Sequence, residues 1–193
     1  MQSHEIDYKI VGHDVQMVEV ELDPGETVIA EAGAMLYMED GIEFTARMGD
    51  GSNPNAGFFD KLLSAGSRLI TGESLFLTHF TNQGWGKKHV AFAAPYPGTI
   101  IPLNLAALGG RMIVQRDAFL CAAMGTKISV TFSRKLGAGF FGGEGIFLAT
   151  LRGTGKVWLQ SMPIRKLIRE LSPRGGNTRK EGRPGLLDSL LER

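Results

Sequence analysis

Residues 136–148 read LGAGFFGGEGIFL, and their glycines have the spacing Gly137-x-Gly139-x-x-Gly142. This spacing occurs in dinucleotide-binding loops, which follow a parallel strand and open a helix whose N–H groups hold the pyrophosphate. Here the upstream run KISVTF suits a strand, but the downstream run GEGIFLATL is typical of a second strand, and no helix opens. The pattern therefore predicts a glycine-rich turn that leads into buried sheet residues at 146–148, and no cofactor site.

The same stretch has a counterpart in the first half of the chain. GESLFLTHFTNQG at 72–84 aligns with GEGIFLATLRGTG at 143–155, so that Gly72 corresponds to Gly143. Upstream, VELDPGETVIAEAGAML at 20–36 aligns with NLAALGGRMIVQRDAFL at 104–120, so that Gly25 corresponds to Gly109. The separation between matched positions is smaller in the later match, because the first copy holds extra residues between positions 48 and 71. Two matches in the same order predict an internal duplication.

Short strand-like runs, separated by turn residues, dominate the chain from Ile6 to Met162. They predict an all-β fold of two tandem, similar β-sandwich repeats, of the double-stranded β-helix type, packed together. The first repeat is predicted at 1–94 and the second at 95–165, followed by a short helix and a flexible basic tail at 166–193. Helical spacing of apolar residues at 57–70 predicts a helical insertion in the first repeat.

The composition is that of a globular protein with a core, with 43% hydrophobic and 21% charged residues. Lys plus Arg number 21 against 20 Asp plus Glu, and this balance argues against a dedicated nucleic-acid binder. The single cysteine, Cys121, excludes an internal disulfide, and its apolar neighbours predict a buried side chain. No secretory signal is recognised at the start and prolines interrupt the longest uncharged run, so a cytoplasmic protein is expected, with peripheral membrane contact as an alternative.

The dispersed histidines offer one candidate metal site. His79 and His89 flank a predicted hairpin at 82–86, and they could meet across it as ligands of a cupin-like enzyme. Two polar residues on adjacent strands is the simpler interpretation. Because no nucleophile–base constellation is found either, no catalytic, cofactor-binding or metal-ligating residue is assigned.

Residues that could contact a partner form three groups. Trp85 stands in a glycine-flanked turn beside Lys87 and Lys88, where it could stack on a base or lie among lipid headgroups, although folding back over the core is favoured. The inserted helix carries an apolar group, and the C-terminal segment carries a basic group that could contact anionic headgroups. The candidates are Phe58, Phe59, Leu62, Leu63, Trp85, Lys87, Lys88, Arg165, Lys166 and Arg169.

Four motifs occur in the order of a known family. They are LDPGETVIAEAGAM at 22–35, GESLFLTHF at 72–80, AAPYPGTIIPLNL at 93–105 and RDAFLCA at 116–122. On these motifs the chain resembles the mitochondrial-biogenesis (altered inheritance of mitochondria) family over about residues 6–172. The resemblance implies two repeats, each similar in fold to the subunit of the tryptophan RNA-binding attenuation protein, and oligomeric assembly. It implies no catalytic residue.

The protein is expected to be a non-catalytic homo-oligomer, and a trimer is the assembly considered. It would act as a scaffold or adaptor, through a protein partner or at a membrane surface. Two alternatives stay open: a cupin-like metal or small-molecule enzyme that uses His79 or His89, and an RNA-binding ring that uses Trp85, Lys87 and Lys88. Nucleic acid is not the expected partner, and no cofactor is expected.

Overall fold

The computed structural model describes residues 3–48, 76–94, 96–133 and 146–163. These ranges contain thirteen strands and three single-turn 3₁₀ segments, so the all-β class predicted from the sequence is confirmed. The strands of the first half are β1 (Asp7–Val11), β2 (Met17–Leu22), β3 (Thr27–Glu31), β4 (Met35–Met38), β5 (Ile42–Met48), β6 (Phe76–Asn82) and β7 (Lys88–Ala93). Those of the second half are β8 (Ile100–Asn104), β9 (Arg111–Gln115), β10 (Phe119–Ala123), β11 (Lys127–Ser133), β12 (Ile146–Arg152) and β13 (Lys156–Gln160). The 3₁₀ turns are Ala32–Ala34, Ala106–Leu108 and Arg116–Ala118.

The strands form three sheets in which every pairing between named strands is antiparallel. The first sheet has the order β1-β2-β7-β4, and the second has the order β5-β6-β3-β10-β13-β8. The third has the order β11-β12-β9. The six-stranded sheet contains strands from both halves of the chain, because β3 pairs with β10.

The two halves pair their strands in the same order. The sets β2-β7-β4 and β5-β6-β3 of the first half correspond to β8-β13-β10 and β11-β12-β9 of the second. Both halves also have a register shift at matching places, between Met35 and Tyr37 in β4 and between Phe119 and Cys121 in β10. Met35 and Phe119 are equivalent positions in the alignment of 20–36 with 104–120, and the same alignment continued sets Tyr37 against Cys121. The division into copies at 1–94 and 95–165 stays a prediction.

The six-stranded sheet has a hydrophobic core on each of its faces. On one face, Val28 and Leu120 pack with Val18, Val20 and other residues of the four-stranded sheet. On the other face, alternate residues of the same strands pack against the three-stranded sheet; the members of this second core include Ile29, Phe119, Ala122, Ile128, Ala149 and Leu151. The central sheet is therefore shared by both cores, which explains why β10 is buried at all five positions.

The joint between β3 and β10 is lined by small and branched apolar side chains. Its registered pairs are Val28–Ala123, Ile29–Ala122 and Ala30–Cys121, and all six residues are buried. The burial predicted for Cys121 is confirmed, and this burial raises the pKa of its thiol well above the ordinary value.

The stretch that follows the glycine-rich turn is only partly buried. Phe147 and Leu148 are half-buried, whereas Ala149 and Leu151 are fully buried. The burial predicted for Phe147 and Leu148 is wrong. Leu148 takes the face opposite to Ala149 and Leu151, because side chains alternate along a strand. Phe147 shares the face of Ala149 but lies near the start of β12, where its ring packs against Phe132.

Several predicted elements lie outside the described residues. They are the glycine-rich turn at 137–145, the helical insertion at 57–70, and the helix and tail at 166–193. Within the parts of the chain that the structure describes, no helix is long and apolar enough to cross a membrane.

Replacement of Phe92 by alanine is expected to lower the free energy of unfolding by about 3–5 kcal/mol, because the ring is fully buried and a cavity would remain. Its ring packs edge-on against Phe80, with a centroid distance of 5.2 Å. Urea denaturation followed by circular dichroism measures the change. The matched control is Phe44→Ala, which also removes a ring beside Phe80 but at a position that is 62% exposed. Equal losses in the two variants would contradict this placement of the core.

Candidate functional site

The turn between β6 and β7, residues 83–87, is fixed by hydrogen bonds to one buried side chain. Asn82 is fully buried, and its Nδ2 donates hydrogen bonds to the carbonyl oxygens of Leu22 and Gly86, each at 2.8 Å. Its Oδ1 accepts a hydrogen bond from the N–H of Gly84 at 2.9 Å. We call residues 83–87 the Trp85 turn. The sequence analysis did not single out Asn82, although an asparagine before a glycine-containing turn is a known signal for such local bonds.

Trp85 lies at the tip of this turn with its side chain in solvent. It is 99% exposed, so the preferred prediction that it folds back over the core is wrong. The bonds made by Asn82 fix both sides of the turn, and they hold Trp85 away from the core. An indole that is almost fully exposed is costly to leave in water, and aromatic residues of this kind are enriched at interfaces.

The charged residues beside the turn are largely compensated. Lys87 forms an ion pair with Glu21, and His89 lies between Glu21 and Glu39 with N–O distances of 3.4 Å to each carboxylate. Glu39 also accepts a hydrogen bond from the backbone N–H of His89 at 2.8 Å. The Cε atom of Lys88 lies near Gly84 of the turn and near Gly41, which precedes β5. The Trp85 turn therefore presents an aromatic tip above balanced charges and is not a strongly basic patch.

These contacts shift the pKa of both carboxylates in the same direction. The hydrogen bond from Lys87 lowers the pKa of Glu21 and raises the pKa of Lys87. The backbone N–H of His89 lowers the pKa of Glu39. Both carboxylates consequently stay ionised to a lower pH than an isolated glutamate, and the ion pair of Lys87 with Glu21 persists around neutral pH.

The two histidines, which the sequence analysis considered as a possible pair across a hairpin, lie in different sheets. His79 is buried in β6 of the six-stranded sheet, opposite Ile29 and Thr45, whereas His89 lies in β7 of the four-stranded sheet. Strands β6 and β7 follow each other in the chain, but they enter different sheets and do not pair. The possible approach of His79 and His89 is therefore ruled out, and the favoured interpretation that they lie on adjacent strands is wrong. Among the described residues, no group of three or more His, Cys, Asp or Glu side chains could hold a metal ion.

Two edge strands, each at the end of a different sheet, are further candidates for contact with a partner. Strand β4 ends the four-stranded sheet, and β9 ends the three-stranded sheet. In the alignment of the two halves that sets position 20 against position 104, β4 corresponds to β10 and β9 corresponds to β3, and these two counterparts pair with each other. We call β4 and β9 the unmatched edges.

Apolar side chains on the unmatched edges are exposed where their counterparts are buried. Ile113 of β9 is 54% exposed, whereas its counterpart Ile29 of β3 is 4% exposed. Leu36 of β4 is 56% exposed, whereas its counterpart Leu120 of β10 is 2% exposed. The same apolar residue types thus lie in water on the edges and in the core at the internal joint.

The other candidate residues lie outside the described part of the chain. They are Phe58, Phe59, Leu62, Leu63, Arg165, Lys166 and Arg169. Of the ten interaction candidates, the structure therefore places Trp85, Lys87 and Lys88, and it brings these three together at the Trp85 turn.

Comparison with known proteins supports the resemblance seen in the motifs. The family described as mitochondrial biogenesis AIM24 matches residues 8–171. An uncharacterised protein from Streptococcus pyogenes serotype M6 is 30% identical over 155 residues, which cover 79% of this chain and 58% of that protein. A crystal structure of a Streptococcus pyogenes protein is similar in fold, with a TM-score of 0.58 and 24% identity over 81% of this chain and 65% of the other. This chain thus spans less than two thirds of the length of either relative.

Iodide quenching of tryptophan fluorescence tests the position of Trp85. The chain has two tryptophans, and Trp158 is fully buried while Trp85 is 99% exposed. The Trp85→Phe variant is expected to lose most of the emission that iodide quenches and to shift its maximum to shorter wavelength, because the remaining indole is shielded from water. The matched control, Trp158→Phe, should keep the quenchable emission. If iodide fails to quench the unmodified protein, Trp85 is covered in solution.

Proposed function

We propose that this chain, which belongs to the mitochondrial biogenesis AIM24 family, is a non-catalytic homo-oligomer that acts as a scaffold or adaptor. The observation that carries the proposal is the pair of unmatched edges, β4 and β9, whose counterparts β10 and β3 join the two halves within one chain. The exposed Trp85 supplies a contact for a partner.

The proposal takes the two halves of the chain as copies of one β unit. This duplication is supported by the shared strand order, by the matching register shifts and by the alignment of 20–36 with 104–120. In this scheme β3 is equivalent to β9, and β10 is equivalent to β4. Each unit then has two edge strands that can pair with another unit: β3 and β4 in the first unit, and β9 and β10 in the second. Within the chain β3 pairs with β10, so β4 and β9 remain at sheet edges.

In the proposed assembly, neighbouring copies of the chain pair in the way that β3 pairs with β10 within one chain. If β9 of one copy pairs with β4 of the next, as β3 pairs with β10, the expected register sets Ile113 opposite Met38 and Met112 opposite Glu39. Because each copy uses a different edge toward each neighbour, the contact is head-to-tail, and it closes into a ring when the rotation between copies permits. Such pairing would cover the apolar residues of both edges and satisfy the strands' open hydrogen-bonding groups.

The family resemblance implies that each half of this chain is similar in fold to one subunit of the tryptophan RNA-binding attenuation protein. A ring built from such halves agrees with the oligomeric assembly that the resemblance implies. We take three copies of the chain, and hence six β units, as the proposed assembly. The fold itself carries no activity, so the RNA binding of that protein is not transferred. The ion pair of Lys87 with Glu21 and the balanced total charge also favour a partner other than RNA.

The Trp85 turn provides the adaptor surface of the proposed assembly. A ring would carry one such turn on each copy, and several weak contacts on one rigid body act together with an increased effective concentration. An exposed indole suits either the apolar pocket of a protein partner or the headgroup region of a membrane. The cupin-like alternative has less support, since His79 and His89 lie in different sheets.

Replacement of Ile113 by lysine is expected to break the ring, because the charge would enter the proposed contact between β9 and β4. Light scattering after size exclusion should give three times the 20.9 kDa chain mass for the unmodified protein and a single chain mass for Ile113→Lys. The matched control is Phe44→Lys on β5, which is 62% exposed on another sheet edge and should leave the mass unchanged. A monomeric unmodified protein would refute the oligomer.

The register of the same contact can be tested by a disulfide. In the Met38→Cys, Ile113→Cys double variant, oxidation is expected to link different chains, because antiparallel partners approach closely enough for such a bond. Non-reducing electrophoresis should show dimers and trimers, whereas each single variant should stay at the chain mass. The native thiol of Cys121 is fully buried and should not contribute.

The adaptor role is tested with vesicles and with the Trp85→Ala variant. Vesicles of phosphatidylcholine with and without phosphatidylserine are sedimented with the full-length protein. Binding to both vesicle types that falls more than about tenfold in Trp85→Ala would place the turn at a membrane, because an inserted indole contributes on the order of 2 kcal/mol. The control is Gln83→Ala in the same turn. Negligible binding by the unmodified protein would reject the membrane and leave a protein partner for the turn.

A further inference from the structure

Three cations lie side by side across the three-stranded sheet. The pairing of β11 with β12 sets Lys127 against Arg152, and the pairing of β12 with β9 sets Arg152 against Arg111. All three side chains are exposed, and they share the solvent face of the sheet because the neighbouring residues Ile128 and Leu151 face the core. We call Lys127, Arg152 and Arg111 the basic row. It ends at β9, one of the two unmatched edges.

The basic row has no counter-charge within its own sheet. Strands β9, β11 and β12 contain no Asp or Glu, and none of the three cations forms an ion pair in the part of the chain that the structure describes. Like charges at directly opposite positions of an antiparallel sheet repel each other. The first half has no such row, since the alignment of the two halves gives Glu43, Thr81 and Thr27 at these positions. The fold therefore does not require the cations, and an anion from a neighbouring molecule would offset their repulsion.

The other unmatched edge, β4, has an anion at its C-terminal end. Asp40 lies in the turn after β4, is exposed, and forms no ion pair among the described residues. Continued through this turn, the alignment of the two halves sets Asp40 against Met124 and Gly41 against Gly125. Both turns are closed by the same backbone hydrogen bond between residues three apart, and the two glycines have φ values of 90° and 96°. Asp40 and Met124 are therefore equivalent in structure as well as in sequence.

The joint between β3 and β10 indicates where Asp40 of a neighbouring copy would lie. Within one chain, the N–H of Met124 donates to the carbonyl oxygen of Thr27 at 3.0 Å, one position beyond the last registered pair of the joint. Asp40 is equivalent to Met124, and Arg111 is equivalent to Thr27. The same pairing between β4 and β9 of two copies therefore sets Asp40 beside Arg111. Residues directly opposite each other share a face of the sheet, so the carboxylate would lie on the face that carries the basic row.

We propose that the basic row binds Asp40 of the next copy, and that Arg111 forms an ion pair with this carboxylate at each contact of the assembly. The ion pair depends on the proposed head-to-tail pairing of β9 with β4, and it adds the charges that select this pairing. Contact between two β9 edges would bring two basic rows together, whereas contact between two β4 edges would bring two carboxylates together. Only the mixed contact joins opposite charges.

Charge reversal tests the ion pair in the full-length protein. Light scattering after size exclusion, over a dilution series, gives the protein concentration at which the assembly is half dissociated. Arg111→Glu and Asp40→Lys are each expected to raise this concentration at least about tenfold, because each variant places like charges at the contact. The double variant, Arg111→Glu with Asp40→Lys, is expected to assemble at nearly the concentration of the unmodified protein, because it restores the pair with the charges exchanged.

The matched control is Lys9→Glu, which makes the same change of charge at an exposed position of β1, the opposite edge of the four-stranded sheet. It should dissociate at the unmodified concentration. Circular dichroism checks the fold of each variant, and Arg111→Gln, which only removes the charge, remains informative if a reversed charge disturbs the sheet. Dissociation that is unchanged in Arg111→Glu and Arg111→Gln, or a double variant as weak as the single variants, would refute the ion pair and leave the assembly. A monomeric unmodified protein would refute both.

Discussion

The pairing of β3 with β10 is the contact on which the rest of the described structure depends. It joins the two halves into one six-stranded sheet, and this sheet supplies a face to each of the two hydrophobic cores. Both strands therefore need apolar side chains on both faces, and their central positions are all buried. Along this joint Ala122 and Ala123 lie opposite the branched Ile29 and Val28, and Cys121 lies opposite Ala30.

The same pairing creates the asymmetry that defines the candidate surfaces. Strands β3 and β10 pair within the chain, whereas their counterparts in the alignment, β9 and β4, end their sheets and carry exposed apolar residues. The hydrophobic effect and the open hydrogen-bonding groups of edge strands both favour a partner strand there. The proposed contact between copies repeats, at β4 and β9, the pairing that joins β3 to β10 within one chain.

Two buried amides at strand ends differ in how fully they are hydrogen-bonded. Asn82 makes three hydrogen bonds with both ends of its amide, and the result is a fixed turn that holds Trp85 in solvent. Gln160 uses its nitrogen toward Asp117, while its oxygen has no partner among the described residues. The first amide is a structural anchor, and the second leaves one buried acceptor without a hydrogen bond from the described residues.

Local sequence determined the features that depend on neighbouring residues. Alternating apolar residues and turn residues predicted an all-β fold, and the apolar neighbours of Cys121 predicted its burial. Tertiary structure decided the features that depend on strand partners. The segment from β6 to β7 has the pattern of a hairpin, yet its strands enter different sheets, so His79 and His89 separate and Trp85 remains exposed. The physical reason is that a strand's periodicity specifies which residues share a face, whereas its partner is chosen by burial against distant segments of the chain.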